Sequence, residues 1–163
     1  LEPTETGAGI LDSILHMDGA GGGLLHVPGG GSRMPATIES VNAKQHYIMQ
    51  DGKKVFKFAV KGMADVSEKI MAQNNLTGDN ISVFIPHQAN KRIIDAAAKR
   101  CNISDNKVLI NIDRFGNTTA GTIPIAMNEA IETGRIKDGD TILLAAFGAG
   151  FTWGSMLLKW EGP

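Results

Sequence analysis

The sequence predicts a layered α/β fold in which helices flank a mainly parallel sheet. Short apolar runs, typical of buried strands, alternate with longer segments whose apolar residues recur every three or four positions. This alternation is typical of parallel sheets with helices packed on their faces. With 163 residues and 42% hydrophobic content, the chain also has the size and composition of one domain with its own core.

The first part of the chain, residues 1–50, is expected to form strands and a flap. It contains two short apolar runs, GILDSILHM and GLLHV, with glycine clusters between and after them. This pattern indicates strands or a hairpin with flexible loops. We do not interpret the glycines as a phosphate-binding loop, because no GK[ST] follows them and no amphipathic helix starts directly afterwards.

The remainder, residues 51–163, is expected to form a core of alternating helices and strands. Apolar residues from Val55 to Met71 recur at helical spacing and predict a helix that ends near NNLTGDN. The continuous run ISVFIP predicts a strand buried on both faces. The later segments predict, in chain order, a helix at 88–101, a strand at 108–113 (VLINID), a helix at 118–134 and a closing pair of strands at 140–147 and 152–160.

Composition limits the classes of function. The formal net charge of −1 gives no general attraction to nucleic acid or to anionic membranes. The longest apolar stretch, ILLAAFGAGF, is too short to span a bilayer, which needs roughly 20 residues. A single cysteine and the absence of a secretory signal pattern indicate a cytoplasmic protein. Its first residue, Leu1, suggests a processed piece or a fragment of a longer protein.

The side chains suited to metal binding or thiol chemistry are few. The four histidines lack the close spacing of zinc ligands, so we expect no metal site. Cys101 lies near the C-terminal end of its predicted helix, where the helix dipole disfavours a thiolate. We therefore interpret Cys101 as a small core residue rather than a nucleophile.

Polar residues and glycines follow the predicted strands. His87 follows the first buried strand, Asn117 follows the second, and the third ends at Phe147 with the glycines of FGAGF. In open α/β sheets, ligands bind at the carboxyl ends of strands, so these residues are candidates for one site. Each also has a simpler interpretation: a histidine in a turn, an asparagine that caps a helix, and a bend in a strand.

Three motifs in order, PHQANKRII, DRFGNTTAGTIP and FGAGFTWGSMLL, resemble the C-terminal half of the β-ketoacyl-acyl-carrier-protein synthase III family. The resemblance extends from about residue 15 to the end and implies half of a thiolase-like fold. Members of this family are acyltransferases that condense an acyl-CoA, such as acetyl-CoA, with malonyl-carrier protein to initiate fatty acid synthesis, without a cofactor. The resemblance assigns His87 and Asn117 to a Cys-His-Asn triad whose cysteine lies in the N-terminal half.

The resemblance also implies further site residues. A neutral imidazole N–H from His87 and an amide N–H from Asn117 would stabilise the enolate left by decarboxylation, and the backbone N–H of Ala149 would form a second oxyanion site. The substrate path would include Gly52, Phe56, Asn90, Ile93 and Phe147. Acidic acyl carrier protein would dock on Lys57, Arg92, Lys99 and Arg100. Further implied partners are acyl-CoA, the protein's own N-terminal half and a second copy in a homodimer.

Two other functions stay open on the sequence. The chain alone is expected to be inactive, because a covalent acyl intermediate needs the missing cysteine. A different alternative is a stand-alone, non-catalytic module that binds carrier protein or CoA with the same surface. A related condensing enzyme of the chalcone synthase type uses a similar triad, although PHQAN together with GNTTAGTIP favours the bacterial initiating type.

Overall fold

The computed structural model describes residues 4–162 as a layered α/β structure. The strands are β1 (Gly9–Met17), β2 (Leu25–His26), β3 (Met49–Gln50), β4 (Val83–Pro86), β5 (Thr141–Gly148) and β6 (Thr152–Lys159). The helices are α1 (Ile38–Asn42), α2 (Gly52–Gln73), α3 (Lys91–Arg100), α4 (Ile112–Phe115) and α5 (Thr122–Glu132). None of the helices within the described range is both long and apolar enough to cross a membrane.

The main sheet has four strands in the order β1-β6-β5-β4 and is mixed. The expected parallel pairing is found between β4 and β5, whereas β6 runs antiparallel to both of its neighbours. The antiparallel β5–β6 pair follows from the short connection between these two strands, because parallel neighbours require a long crossover. Of the two forms expected for the N-terminal runs, strands are found and a hairpin is not, since β1 pairs with β6 and β2 pairs with β3.

The segment VLINID does not form the predicted strand. Val108 makes a single parallel bridge to Phe84, and the N–H of Leu109 donates to the carbonyl oxygen of Phe84 at 2.9 Å. The N–H groups of Asn111 and Ile112 donate instead to the side chain of Gln88. The chain then turns into the short helix α4. An apolar run therefore lies beside β4 without continuing the sheet.

Apolar cores lie on both faces of the sheet. Alternating residues of β4 point to opposite sides, so Phe84 packs with α2 and α3 whereas Val83 and Ile85 pack with α5. The amphipathic helix predicted at 88–101 is confirmed as α3, with Ile94 and Ala97 fully buried. The sheet is thus held between two helix layers, as the sequence predicts.

Part of the glycine-rich segment has a defined structural role. Residues Gly19–Leu24 form a 3-10 helix rather than a loop, and the carboxylate of Asp18 caps it by accepting the N–H of Ala20 at 2.9 Å. Gly21 is buried against the ring of Phe151, and a Cβ atom at this glycine would lie 2.2 Å from the ring. Glycine is required at this position because any side chain would overlap the ring.

Candidate active site

His87 is fixed at the carboxyl end of β4. Its backbone N–H donates to the carbonyl oxygen of Ala145 at 2.7 Å, which places it beside the last residues of β5. The side chain is partly buried, and its Nδ1 lies 2.6 Å from the hydroxyl of Thr122, the first residue of α5. The imidazole is therefore held by a strand on one side and by a helix on the other.

Burial lowers the pKa of His87 from its ordinary value of 6.5, because the partly enclosed ring loses solvation when it becomes charged. The ring is consequently neutral at physiological pH. We expect an NMR titration of the complete protein to give a midpoint for His87 below 6.5. Since the unfolded chain binds this proton more tightly, the contribution of His87 to the free energy of unfolding falls as pH drops below 6.5. A midpoint at or above 6.5 would contradict the burial argument.

Asn117 lies in the loop between α4 and α5, not at the end of a strand. Its side chain is exposed, and its Oδ1 accepts the N–H of Thr119 at 2.9 Å. The simpler interpretation, an asparagine that stabilises a turn, is therefore also observed. Because the oxygen is occupied by this bond, the two N–H donors of the amide remain, and within residues 4–162 they make no hydrogen bond.

Two threonines connect His87 with Asn117. Thr119 donates its N–H to Asn117, and its carbonyl oxygen lies 3.1 Å from the hydroxyl of Thr122, which in turn contacts His87. Thr119 adopts a φ of 54°, an unfavourable conformation for a β-branched residue. Such conformations persist where the surrounding structure fixes them, often at functional sites. The two residues from separate sequence motifs are thus linked by one chain of polar contacts.

Gln88 links β4 to the segment that leads towards Asn117. It is fully buried, and its Nε2 donates to the carbonyl oxygens of Pro86 and Leu109 at 2.8 and 3.1 Å. Its Oε1 accepts the N–H groups of Asn111 and Ile112 at 3.0 and 3.2 Å. Sequence reasoning missed this role, and the available signal was an amide side chain two residues after a buried strand.

The end of β5 carries the two remaining strand-end candidates. Ala149 is exposed in the turn between β5 and β6, and its carbonyl oxygen accepts the hydroxyl of Thr152 at 3.0 Å. Phe147 is 8% exposed and belongs to an aromatic cluster, with its ring centroid 4.9 Å from that of Phe151. Phe147 is therefore mainly a core residue with a small accessible area, whereas Ala149 is exposed.

The other candidates for the substrate path lie where α2 and α3 begin. Gly52 is exposed at the start of α2, and Phe56 follows one turn later, partly buried. Asn90 caps α3 by accepting the N–H of Arg92 at 2.9 Å, whereas Ile93 is buried in the core. The guanidinium of Arg92 lies 4.8 Å from the centre of the Phe56 ring, a cation–π contact that joins the two helices.

The four candidate docking cations differ in their surroundings. Among the described residues, no ion pair involves Lys57, Arg92 or Lys99, and all three are exposed. Arg100 instead pairs with Asp65 and Glu68 of α2. Asp95, which precedes Lys99 by one helical turn, pairs with Lys91 at 2.8 Å. Three of the four cations are thus free to meet an anionic partner.

Cys101 follows α3 and is buried. Burial raises the pKa of its thiol to about 11, because the enclosed site cannot solvate a thiolate. The residue is therefore protonated at physiological pH. In the described part of the chain, no three His, Cys, Asp or Glu side chains form a cluster that could hold a metal ion.

Known proteins resemble this chain over nearly its whole length. The family described as 3-oxoacyl-[acyl-carrier-protein (ACP)] synthase III C terminal matches residues 71–160. A β-ketoacyl-[acyl-carrier-protein] synthase III of Koribacter versatilis is 53% identical over 162 residues, covering 98% of this chain and 49% of the relative. The corresponding protein of Chlorobaculum tepidum is 51% identical, with 96% and 48% covered.

The fold is shared with solved structures. A 3-oxoacyl-[acyl-carrier-protein] synthase III from Aquifex aeolicus superposes with a TM-score of 0.84 at 37% identity, covering 97% of this chain and 46% of that one. The chain thus spans about half the length of the relatives that it matches. The layered α/β fold class expected from the sequence is confirmed by this similarity.

Proposed function

The chain belongs to the 3-oxoacyl-[acyl-carrier-protein] synthase III family, and from this premise we propose that it supplies half of the active site of a condensing enzyme. The complete protein joins acetyl-CoA, or another acyl-CoA, to malonyl-carrier protein and so begins fatty acid synthesis. The observation that carries this proposal is the chain of polar contacts that links His87 and Asn117 through Thr122 and Thr119. We further propose a cytoplasmic homodimer that needs no cofactor.

The chemistry requires donors for a developing negative charge. A cysteine thiolate first takes the acyl group from CoA, which leaves as its thiolate. The bond from the malonyl carbon to its carboxylate then breaks, carbon dioxide leaves, and the electron pair forms an enolate on the thioester oxygen. The enolate carbon attacks the acyl-cysteine and releases the sulfur. Fixed neutral N–H groups can stabilise the enolate, and they avoid the desolvation cost that a charged donor would pay on burial.

His87 and Asn117 fit this requirement. Burial keeps the imidazole neutral, so one ring nitrogen carries a hydrogen that can be donated. The amide of Asn117 does not titrate, and its bond to Thr119 leaves its N–H groups available. We assign the backbone N–H of Ala149 to the oxygen of the tetrahedral intermediate. Its exposed position after β5 supports this assignment.

The substrate arm would pass between α2 and α3. We propose that Gly52 and Asn90 offer polar contacts to pantetheine at the two helix starts, where both residues are exposed. Phe56, Ile93 and Phe147 would form the apolar wall, which suits their partial or complete burial. A thioester arm with an amide backbone and an apolar end matches this combination of surfaces.

The decisive experiment combines the complete protein with acetyl-CoA and malonyl-carrier protein. We expect mass spectrometry to detect a 3-oxoacyl thioester on the carrier, together with an acetyl group on a cysteine that lies outside these 163 residues. Carrier binding without product would instead favour a non-catalytic binding module. Product formed with free malonyl-CoA alone would indicate a condensing enzyme of the chalcone synthase type.

The 163-residue chain alone is expected to form no condensation product. Its single cysteine, Cys101, is buried and protonated, so it offers no thiolate to an acyl-CoA. The measurement is the same mass spectrometric assay with the purified chain. The complete protein serves as the positive control, and any 3-oxoacyl product from the chain alone would disprove this prediction.

We place the carrier-protein docking surface on Lys57, Arg92 and Lys99, the three cations without an ion pair among the described residues. Arg100 would contribute less, because Asp65 and Glu68 already neutralise it. Changing Arg92→Glu is expected to raise KM for malonyl-carrier protein by about 10-fold or more at low salt. The effect should shrink as salt rises, because exposed charges are screened.

The matched control reverses a charge away from this surface. Lys137 is exposed in the loop before β5, at the opposite end of the strand from His87. Lys137→Glu makes the same change in net charge and should leave KM within about twofold, since surface charges act locally at physiological salt. Equal effects of both variants would show that net charge, rather than a docking surface, governs the encounter.

A further inference from the structure

We propose that Thr122 is a positioning residue: its hydroxyl donates to Nδ1 of His87 and thereby keeps the ring hydrogen on Nε2. This inference rests on the proposed function, because it explains how His87 presents an N–H donor to the enolate. Neither the strand that ends at His87 nor the motif that contains Asn117 identifies Thr122 from sequence alone. Its contact with His87 depends on where α5 begins in space.

The distances indicate where the hydroxyl proton lies. Thr122 Oγ1 has two neighbours, Nδ1 of His87 at 2.6 Å and the carbonyl oxygen of Thr119 at 3.1 Å. A hydroxyl has one proton and can serve one of them fully. Hydroxyl donors make bonds of about 2.5–3.0 Å, whereas ring N–H donors prefer about 2.9–3.0 Å. The short contact therefore fits a hydroxyl that donates to Nδ1 better than an imidazole that donates to the hydroxyl.

The tautomer follows from this assignment. A neutral imidazole has one hydrogen, so an accepting Nδ1 requires that the hydrogen is on Nε2. Because the proposal assigns this proton to Nδ1, the 3.1 Å approach of Thr122 Oγ1 to the carbonyl oxygen of Thr119 is a polar contact and not a second full hydrogen bond. Nδ1 is thereby occupied within the protein, and Nε2–H is left as the donor that can face a substrate oxygen.

The surroundings of Thr122 favour one fixed arrangement. Thr122 is 2% exposed, so water has little access to compete for its hydroxyl. It is the first residue of α5, and the backbone of His87 is fixed to Ala145 of β5. Two rigid elements thus hold the donor and the acceptor at hydrogen-bonding distance. Buried pairs of this kind restrict both the ring orientation and the tautomer.

Nitrogen NMR on the complete protein, labelled with 15N at histidine, tests the inference directly. In the wild-type protein we expect His87 Nε2 to carry the hydrogen and Nδ1 to show the shift of an accepting nitrogen. Thr122→Val keeps the shape but removes the hydroxyl, so the shifts should become an average of two tautomers. Thr122→Ser should restore the wild-type pattern. A hydrogen on Nδ1 in the wild-type protein, or an unchanged pattern in Thr122→Val, would overturn the proposal.

Kinetics separate this inference from the proposed function. We expect Thr122→Val to lower kcat for malonyl-carrier decarboxylation by about 10- to 100-fold with little change in KM, because the donor becomes misplaced. Thr133→Val is the matched control: Thr133 follows α5 and donates its hydroxyl to the carbonyl oxygen of Glu129 at 2.7 Å. If the NMR pattern depends on Thr122 but all variants react at the wild-type rate, the tautomer stands and the role of His87 in catalysis falls.

Discussion

Replacing either His87 or Asn117 with alanine in the complete protein is expected to lower the rate of malonyl-thioester decarboxylation by about 10²- to 10³-fold. This is the range observed when one preorganised donor to an oxyanion is removed. Both side chains are held before substrate arrives, His87 by Thr122 and Asn117 by Thr119. The loss should therefore appear mainly in kcat, since these donors act on charge that develops in the transition state.

The matched controls are the same substitutions outside the candidate site. His26 lies on β2 and Asn128 on α5, and both side chains are exposed. His26→Ala and Asn128→Ala should retain the wild-type rate. Release of carbon dioxide from malonyl-carrier protein is the appropriate readout, because it reports the enolate step without requiring the acyl transfer to cysteine. Normal decarboxylation by His87→Ala or Asn117→Ala would remove that residue from the proposed mechanism.

The double variant tests whether the two donors serve the same oxygen. If both stabilise one enolate, the effects are coupled, and the double substitution should reduce the rate by less than the product of the two single effects. Independent roles in separate steps would give a multiplicative loss. The chain of polar contacts from Asn117 through Thr119 and Thr122 to His87 supports the coupled result.

Local sequence patterns predicted most of the fold correctly. The spacing of apolar residues indicated α2, α3 and α5, and the apolar runs indicated β4, β5 and β6. The strand predicted for VLINID is not formed, because the same apolar pattern is also compatible with an extended segment outside a sheet. The deciding contacts come from Gln88, which accepts two N–H groups that a strand would have offered to a neighbour. Such a contact depends on tertiary structure and is absent from a local pattern.

The candidate site was predictable to a smaller extent. His87 and Asn117 stood out because their motifs resemble those of a known family, whereas Thr119 and Thr122 looked like ordinary helix-start residues. Thr122 becomes part of the site only because the fold brings the start of α5 to the end of β4. Arg100 illustrates the same limit, because its partners Asp65 and Glu68 lie on another helix. Charge alone could not show which cations are already neutralised.

The largest expected effect on stability comes from Gln88→Leu. Gln88 is fully buried and makes four hydrogen bonds, two to carbonyl oxygens and two to backbone N–H groups. Leucine has a similar volume but no polar atoms, so four backbone groups would lose their partner in a site with little water. Each unsatisfied buried group costs about 1–3 kcal/mol, and partial relaxation reduces the sum. We expect the free energy of unfolding to fall by about 3 kcal/mol or more.

Urea unfolding of the complete protein measures this loss, with Gln73→Leu as the matched control. Gln73 is the exposed last residue of α2, so the same change there should alter the free energy of unfolding by less than about 0.5 kcal/mol. Because Gln88 holds the segment that leads to Asn117, Gln88→Leu should also reduce decarboxylation under conditions in which the protein remains folded. A destabilisation below about 1 kcal/mol would mean that the four backbone groups find other partners, and that Gln88 does not fix this segment.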